Sequence, residues 1–245
     1  MKTAGRERPP VGERKLPFET EQLRIELARF LNQAFVIDPA SAKHRRLGSV
    51  KWGAYAFFDY DGEPIYVGQT SESLGTRIRR HLTNQRSDAV AMKVLDPYEV
   101  HTIKVWPLPQ FQDRTSKSAD AKAVKQHLDA LEHAIFQACL AQSTFKVVLN
   151  EKDPPKPTMD VAIPALVEGS IVPAAVSRLR DHPDLRIARR ASTLARLAQV
   201  ISERKVNTGL RRALLAQAVR LQDLAARRLA QAPVVEDDEL QDDGD

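Results

Sequence analysis

Apolar residues recur at helical spacing over residues 18–35, where Leu23, Leu27, Phe30, Leu31 and Ala34 form one stripe and Thr20 is placed to cap the start. A short basic loop follows, Ser41–Leu47, with Lys43, His44, Arg45 and Arg46 placed to touch phosphate. The pattern then changes period. Trp52–Tyr60 is aromatic and apolar, Asp61-Gly62 is a pair favoured in tight hairpins, and Pro64–Val67 supplies a return strand, so a β-hairpin is predicted. Ser73–Leu82 reads as a short helix carrying Arg77, Arg79, Arg80 and His81, and a second short helix is predicted near Asp88–Leu95. Tyr98–Trp106 alternates as a third strand closed by Pro107 and Pro109. Ala119–Gln142 lacks Gly and Pro and aligns Leu128, Leu131, Ile135, Ala138 and Cys139, which predicts a long buried helix. Phe145–Leu149 is a short extended apolar segment ending at Asn150.

Three prolines within Glu151–Pro157 end this unit. Beyond a looser segment with Pro164 and Pro173, two helical stripes appear: Ile187, Ala191, Leu194, Ala198 and Ile201, then Leu214, Ala218, Leu221, Ala225 and Leu229, with a break at Asn207-Thr208-Gly209. Their spacing predicts an antiparallel helical hairpin or a dimerising pair. The expected fold class is α+β: a small three-stranded antiparallel sheet flanked by helices, plus a C-terminal α-helical hairpin. The expected organisation is a disordered basic arm (1–17), an α+β domain (18–150), a proline-rich linker (151–173), a basic helical module (174–232) and an acidic disordered tail (233–245).

Charge sharpens the picture. The 245-residue chain has a formal net charge of +5, but Glu236–Asp245 holds seven acids and no base, which leaves +12 on residues 1–235. Such a body suits a polyanionic partner, nucleic acid first. The single cysteine, Cys139, excludes a disulfide framework, and Cys/His pairs for a zinc site are missing. No apolar run is long enough to span a bilayer, and Met1–Leu16 has no apolar core of a secretory signal, so the cytoplasm is the expected location. No Walker loop or Rossmann glycine pattern is present, and no nucleotide cofactor is expected.

The informative chemistry is an ordered set: Gly53-Ala54-Tyr55, Tyr66-Val67-Gly68, Arg77 and His81, Glu132, and Asn150. Over about Val50–Asn150 this set resembles the GIY-YIG nuclease family, named for its two short strand motifs. Ala54 and Val67 depart from the usual Ile, at positions that should face away from the two tyrosines. The resemblance implies a metal-dependent endonuclease that hydrolyses phosphodiester bonds in DNA, duplex or branched, in restriction and anti-phage defence or in DNA repair. A catalytically inactive nucleic-acid-binding protein of the same fold is the alternative.

In-line attack on phosphate needs a deprotonated water, an acceptor for its proton, and positive charge where the pentavalent phosphate and leaving oxygen gather negative charge. Arg77 and His81, four apart on one helix face, can reach the same phosphate: Arg77 to hold it by forked hydrogen bonds, His81 to assist the leaving group or position a tyrosine. The resemblance implies that one strand tyrosine is the base. Tyr55 is preferred, with Tyr66 as partner, though the roles can be exchanged. Glu132 is the expected ligand of a single Mg²⁺ or Mn²⁺, and Asn150 is a buttress. Between Ser177 and Ala230, 13 Lys and Arg face 4 Asp and Glu. This module reads either as a DNA clamp or as an arginine-rich solvated face on a homodimerising hairpin.

Overall fold

The computed structural model describes residues 18–39, 41–83, 95–150, 152–206 and 208–231. The expected N-terminal arm, the helix near Asp88–Leu95 and the acidic tail therefore lie outside the described residues or almost wholly so. Helix α1 (Phe18–Gln33) leads into a two-stranded ribbon, β1 (Phe35–Ile37) antiparallel to β2 (His44–Arg46). Here the chain departs from expectation twice. Thr20 lies inside the first turn, and His44–Arg46, within the segment read as a basic loop, is a strand. The Phe-Val-Ile run favours extended backbone. Pro39 adds to this by biasing Asp38 away from helix.

The central sheet has four antiparallel strands in the order β4-β3-β5-β6: β3 (Gly53–Phe58), β4 (Pro64–Thr70), β5 (Thr102–Pro107) and β6 (Val167–Ser170). The expected hairpin is present, with Gly62 at φ +74° in the Asp59–Glu63 turn, where a left-handed residue is needed. The fourth strand corrects the three-stranded expectation. Val-Glu-Gly-Ser has weak strand propensity and becomes a strand by pairing with β5 more than sixty residues away. Its Gly169 lies under the Phe30 ring of α1: a Cβ there would sit 2.6 Å from a ring carbon.

Every residue of β3 is buried, because the sheet is covered on both faces. Tyr55, Phe57, Ile103 and Val105 face α1, the short helix α2 (Leu74–Leu82) and the C-terminal helices. Ala54, Ala56, Phe58 and Val67 face the long helix α3 (Ala121–Gln142) through Val124, Leu128, Leu131 and Ile135. Phe145–Leu149 is not a strand, although Leu149 N–H bonds the Ile65 carbonyl at 3.2 Å.

Helices α4 (Ala174–Arg180), α5 (Pro183–Glu203) and α6 (Thr208–Ala230) complete the fold. The antiparallel α5–α6 pairing holds, since Arg190 Nη1 donates to the Arg220 carbonyl and Arg228 meets Asp184 at 2.7 Å. Both predicted stripes are nonetheless displaced. The buried positions are Arg186, Arg190 and Leu197 on α5, and Leu210, Ala213, Gln217, Arg220 and Leu224 on α6, while Leu229 is 77% exposed. Thr208 and Gly209, assigned to the break, lie inside α6.

The displacement has an electrostatic cause. Arg190 reaches the buried Asp59 at 2.9 Å and Glu99 at 3.1 Å, Arg220 also bonds Asp59, and Arg186 bonds Asp61. Arginines thus occupy the inward face that an apolar stripe would take, neutralising carboxylates of the hairpin turn and the strand approach. Among the described residues no helix is long and apolar enough to cross a membrane.

Removing one partner of such a cluster strands buried charge. Asp59→Ala is expected to lower stability by about 3–5 kcal/mol, read as a reduced urea midpoint with unchanged slope. Replacing Asp59 by Leu and Arg220 by Met together costs less than Asp59→Ala alone. Burial raises the Asp61 carboxyl, but hydrogen bonds and charge from Arg186 and Arg227 outweigh it and hold the group at about 2. Its stabilisation is complete above the ordinary carboxylate range near 4 and is lost as pH falls from about 4 to 2, a loss that Asp61→Asn removes.

Candidate active site

Antiparallel register sets Tyr55 directly opposite Gly68, and Phe57 opposite Tyr66, on one face of the sheet. The Tyr55 ring lies across the bare Gly68 backbone: a Cβ at position 68 would fall 2.6 Å from the hydroxyl and 2.8 Å from the ring. Gly53 is constrained in a similar way, a Cβ there meeting the Trp106 carbonyl at 2.8 Å. The glycines of both motifs therefore exist to let backbone and ring approach.

Ser73 caps α2 by accepting from Thr76 N–H at 3.2 Å, and the helix turns Arg77 and His81 toward Tyr55. Arg77 Nε donates to the Tyr55 oxygen at 3.3 Å, and the Tyr55 oxygen lies 2.8 Å from His81 Nε2. Burial, then the charges of Arg77 and Arg80, push His81 down to about 3, so its ring is neutral. With Arg77 donating to the phenol oxygen, the phenol proton is directed to His81 Nε2, which assigns the imidazole proton to Nδ1. That nitrogen is buried without a partner among the described residues.

His81 is 1% exposed and Tyr55 is fully buried. The histidine thus sits against a tyrosine. Burial first, then the neighbouring Tyr66, raises Tyr55 well above the usual phenol value, with Arg77 opposing. Tyr66 is only half-buried, its ring stacked 6.4 Å from Tyr55 and 5.0 Å from His81. Arg77 is also half-buried, and neither Nη group has a protein hydrogen bond among the described residues.

Glu132 approaches from the other side of the sheet, around the β4 edge. Gln69, whose side chain points away from Gly68, donates to Glu132 Oε2 at 2.8 Å and to Asp129 Oδ1 at 2.7 Å, while Lys125 Nζ meets Asp129 at 2.6 Å. Burial raises Glu132 to about 7, opposed by Gln69 and Lys125 and reinforced by Asp129. Arg77 also acts on Glu132, and Glu132 on Tyr55, so the two sides of the strand share one electrostatic site. Asn150 braces the same strand, its Oδ1 accepting from Val67 N–H at 3.0 Å and its Nδ2 donating to the Val67 carbonyl at 2.8 Å.

The sequence reading missed Gln69, Lys125 and Asp129. Their signal was available: Gln69 follows the second glycine motif directly, and Lys125 and Asp129 precede Glu132 by seven and three residues on one helix face.

A divalent ion fits this donor set. One Glu132 oxygen is fixed by Gln69 and Oε1 has no protein hydrogen bond among the described residues, while burial raises the carboxyl, a cost that a bound cation would offset. No group of three or more His, Cys, Asp or Glu side chains able to hold a metal occurs among the described residues.

Two tyrosines, a guanidinium whose Nη groups have no protein hydrogen bond among the described residues, and a carboxylate thus lie about one strand edge. Residues 51–113 match the family model of the GIY-YIG catalytic domain, a nuclease module acting on DNA. No curated protein and no solved structure matches the chain. The matched segment ends before α3, so Glu132 and Asn150 join the site through the geometry described above.

Gly68→Ala is expected to displace the Tyr55 ring and lower stability by about 1–3 kcal/mol, the usual result of overfilling a packed site. Thermal unfolding measures it, and Gly62→Ala, where a Cβ meets nothing within 4 Å, isolates the cost of a positive φ alone.

Proposed function

We propose that the protein is a divalent-metal-dependent endonuclease that hydrolyses DNA phosphodiester bonds, duplex or branched, in restriction and anti-phage defence or in DNA repair. The observation that carries this reading is the convergence of Tyr66, Arg77 and Glu132 about the Gly68 edge, with Tyr55 and His81 packed behind them.

Arg77 holds the non-bridging oxygens of the scissile phosphate through its Nη groups and keeps positive charge where the pentavalent phosphate forms. Its Nε bond to Tyr55 fixes the guanidinium plane. Tyr66 takes the proton of the attacking water. Exposure supports Tyr66 over Tyr55 in this role, because a fully buried phenol is walled off from water and costly to ionise. A free phenol is ionised to about one part in a thousand at pH 7, a handicap of roughly 4 kcal/mol, which Arg77 reduces. Tyr55 and His81 are positioning residues: their mutual hydrogen bond sets the face against which Tyr66 and Arg77 are held. Glu132 would hold the divalent ion, which when bound supplies positive charge at the leaving oxygen. Asn150 keeps β4 straight beside it.

Incubation with supercoiled plasmid and Mg²⁺ tests the reading. Wild-type protein is expected to nick or linearise the plasmid and EDTA to stop it, while Glu132→Gln, Tyr66→Phe and Arg77→Ala each lower the rate about 10²–10⁴-fold. Failure of the wild type on duplex, single-stranded and branched DNA would leave only the inactive DNA-binding alternative.

The pH profile gives a separate check. With Glu132 at about 7, its carboxylate form grows as pH rises through neutrality, so cleavage at limiting Mg²⁺ should climb between about pH 6 and 8. Saturating Mg²⁺, which favours the carboxylate, should move that rise to lower pH. His81, already neutral throughout, adds no step.

A further inference from the structure

The β1–β2 ribbon presents an unusual outer face. Antiparallel pairing sets Phe35 opposite Arg46 and Ile37 opposite His44, which places all four side chains on one face. Phe35 is 60% exposed and Ile37 58%, and His44 and Arg46 are exposed beside them. The opposite face is occupied differently: Val36 packs against the core, and Arg45 lies 3.8 Å from the buried Asp38.

Asp38 also organises the turn, its backbone bonding Lys43 and Ala42 and its carboxylate accepting from Ser41 at 2.8 Å. The outer face therefore has two large apolar groups, one guanidinium, one imidazole and no acid. Lys43 adjoins it at the turn. Arg46 and His44 make no ion pair among the described residues.

The ribbon is fixed to the candidate active site. Leu47 N–H bonds the Ala34 carbonyl at 2.8 Å, Ser73 Oγ donates to the Gly48 carbonyl at 2.9 Å, and Leu74 N–H bonds the Val50 carbonyl at 2.9 Å. Gly75 at the start of α2 lies so close to Gly48 that a Cβ would fall 2.8 Å from the Gly48 carbonyl and 3.2 Å from its Cα. Two residues of chain from Arg46 to Gly48, that contact, and half a helical turn from Gly75 to Arg77 bound the Arg46–Arg77 Cα separation at about 18 Å. That equals about five base pairs of duplex.

We propose that this ribbon is a second DNA contact, resting on the nuclease reading: Phe35 and Ile37 press into a groove of the duplex while Arg46, His44 and Lys43 bind the flanking phosphates. A groove admits a two-stranded ribbon, and exposed Phe and Ile are the side chains that wedge against base steps. Charge selects DNA over another protein as the occupant, because an apolar face ringed by cationic and donor groups, with no acid among its described residues, complements a polyanion whose groove floor offers thymine methyl groups beside the base edges. The hydrogen-bonded turn and the fixed join to α2 mean that little ordering is needed on binding.

Affinity of the full chain for a labelled 30-base-pair duplex of mixed sequence, measured by anisotropy in EDTA, tests the proposal separately from cleavage. Phe35→Ala/Ile37→Ala is expected to weaken binding about tenfold. Arg46→Gln should reduce the slope of log affinity against log salt by about one. Leu229→Ala, a truncation at a still more exposed apolar position on α6, should bind as wild type does. Circular dichroism confirms that the variants fold.

If the ribbon variants bind within twofold of wild type while wild type binds well, the ribbon does not touch DNA. A change from dimer to monomer by light scattering, with DNA affinity intact, would instead assign the face to a second copy of the chain and overturn the proposal. Absence of any DNA binding by the wild type would remove the nuclease reading itself, a result distinct from either.

Discussion

The Tyr55 hydroxyl rests on a strand position that has no side chain, and the geometry of the site follows from that contact. β4 is an edge strand, and its bare backbone at position 68 lets the Tyr55 ring lie against that edge. On one face stand Tyr55, Tyr66, Arg77 and His81; on the other, α3 carries Glu132. Alternation along the strand assigns successive residues to the two sides: Gly68 receives the phenol, and Gln69 holds the carboxylate. Asn150 satisfies the Val67 backbone between these assignments, doing for the outer edge what a further strand would otherwise do.

A second constraint ties the C-terminal helices to this sheet. The excess of arginine between Ser177 and Ala230 suggests a surface for phosphate, yet Arg186, Arg190 and Arg220 are buried against Asp59, Asp61 and Glu99. Those carboxylates belong to the hairpin turn and to the approach to β5, so the helices clamp the hairpin that carries both tyrosine motifs. Leu197, Leu210, Ala213 and Ala216 share one apolar cluster with Tyr55 and Phe57. Part of the charge that looked available for DNA is consumed internally, and the positions of Tyr55 and Tyr66 depend on helices more than a hundred residues away in sequence.

What was legible in the sequence was local. Strand alternation, the Asp-Gly turn and the helical stripe of α3 are short-range signals, and each produced its element. The ordered set from Gly53 to Asn150 was legible through its resemblance to a family with two short strand motifs, whose glycines the close approach of Tyr55 and Trp106 requires. The missed features are those decided by distant partners. β6 is a strand because β5 offers an open edge, not because Val-Glu-Gly-Ser favours one. The inward face of α5 was misassigned because the apolar residues Ile187, Leu194 and Ala198 were weighed and the carboxylates awaiting Arg186 and Arg190 could not be. Burial of Tyr55 against exposure of Tyr66 is likewise a property of the packed sheet and has no trace in the spacing of the motifs.

The two ionic clusters of the molecule differ in a way that separates structure from function. Around Asp59 opposite charges meet one another directly, although burial raises Asp59 and lowers Arg220. Around Gly68 burial drives the titratable groups toward neutrality: His81 is pushed down to about 3, Glu132 up to about 7, and Tyr55 well above its ordinary value. Arg77 keeps its charge, and its hydrogen-bonding partner among the described residues is a phenol. Such a site is deficient in both signs at once. A cation at Glu132 favours its carboxylate, and a phosphate at Arg77 offsets the charge that depresses His81. Because the two added charges attract each other across a poorly solvated strand edge, each strengthens the binding of the other. On the proposed nuclease reading, the site therefore gains most when a phosphodiester and a metal ion arrive together.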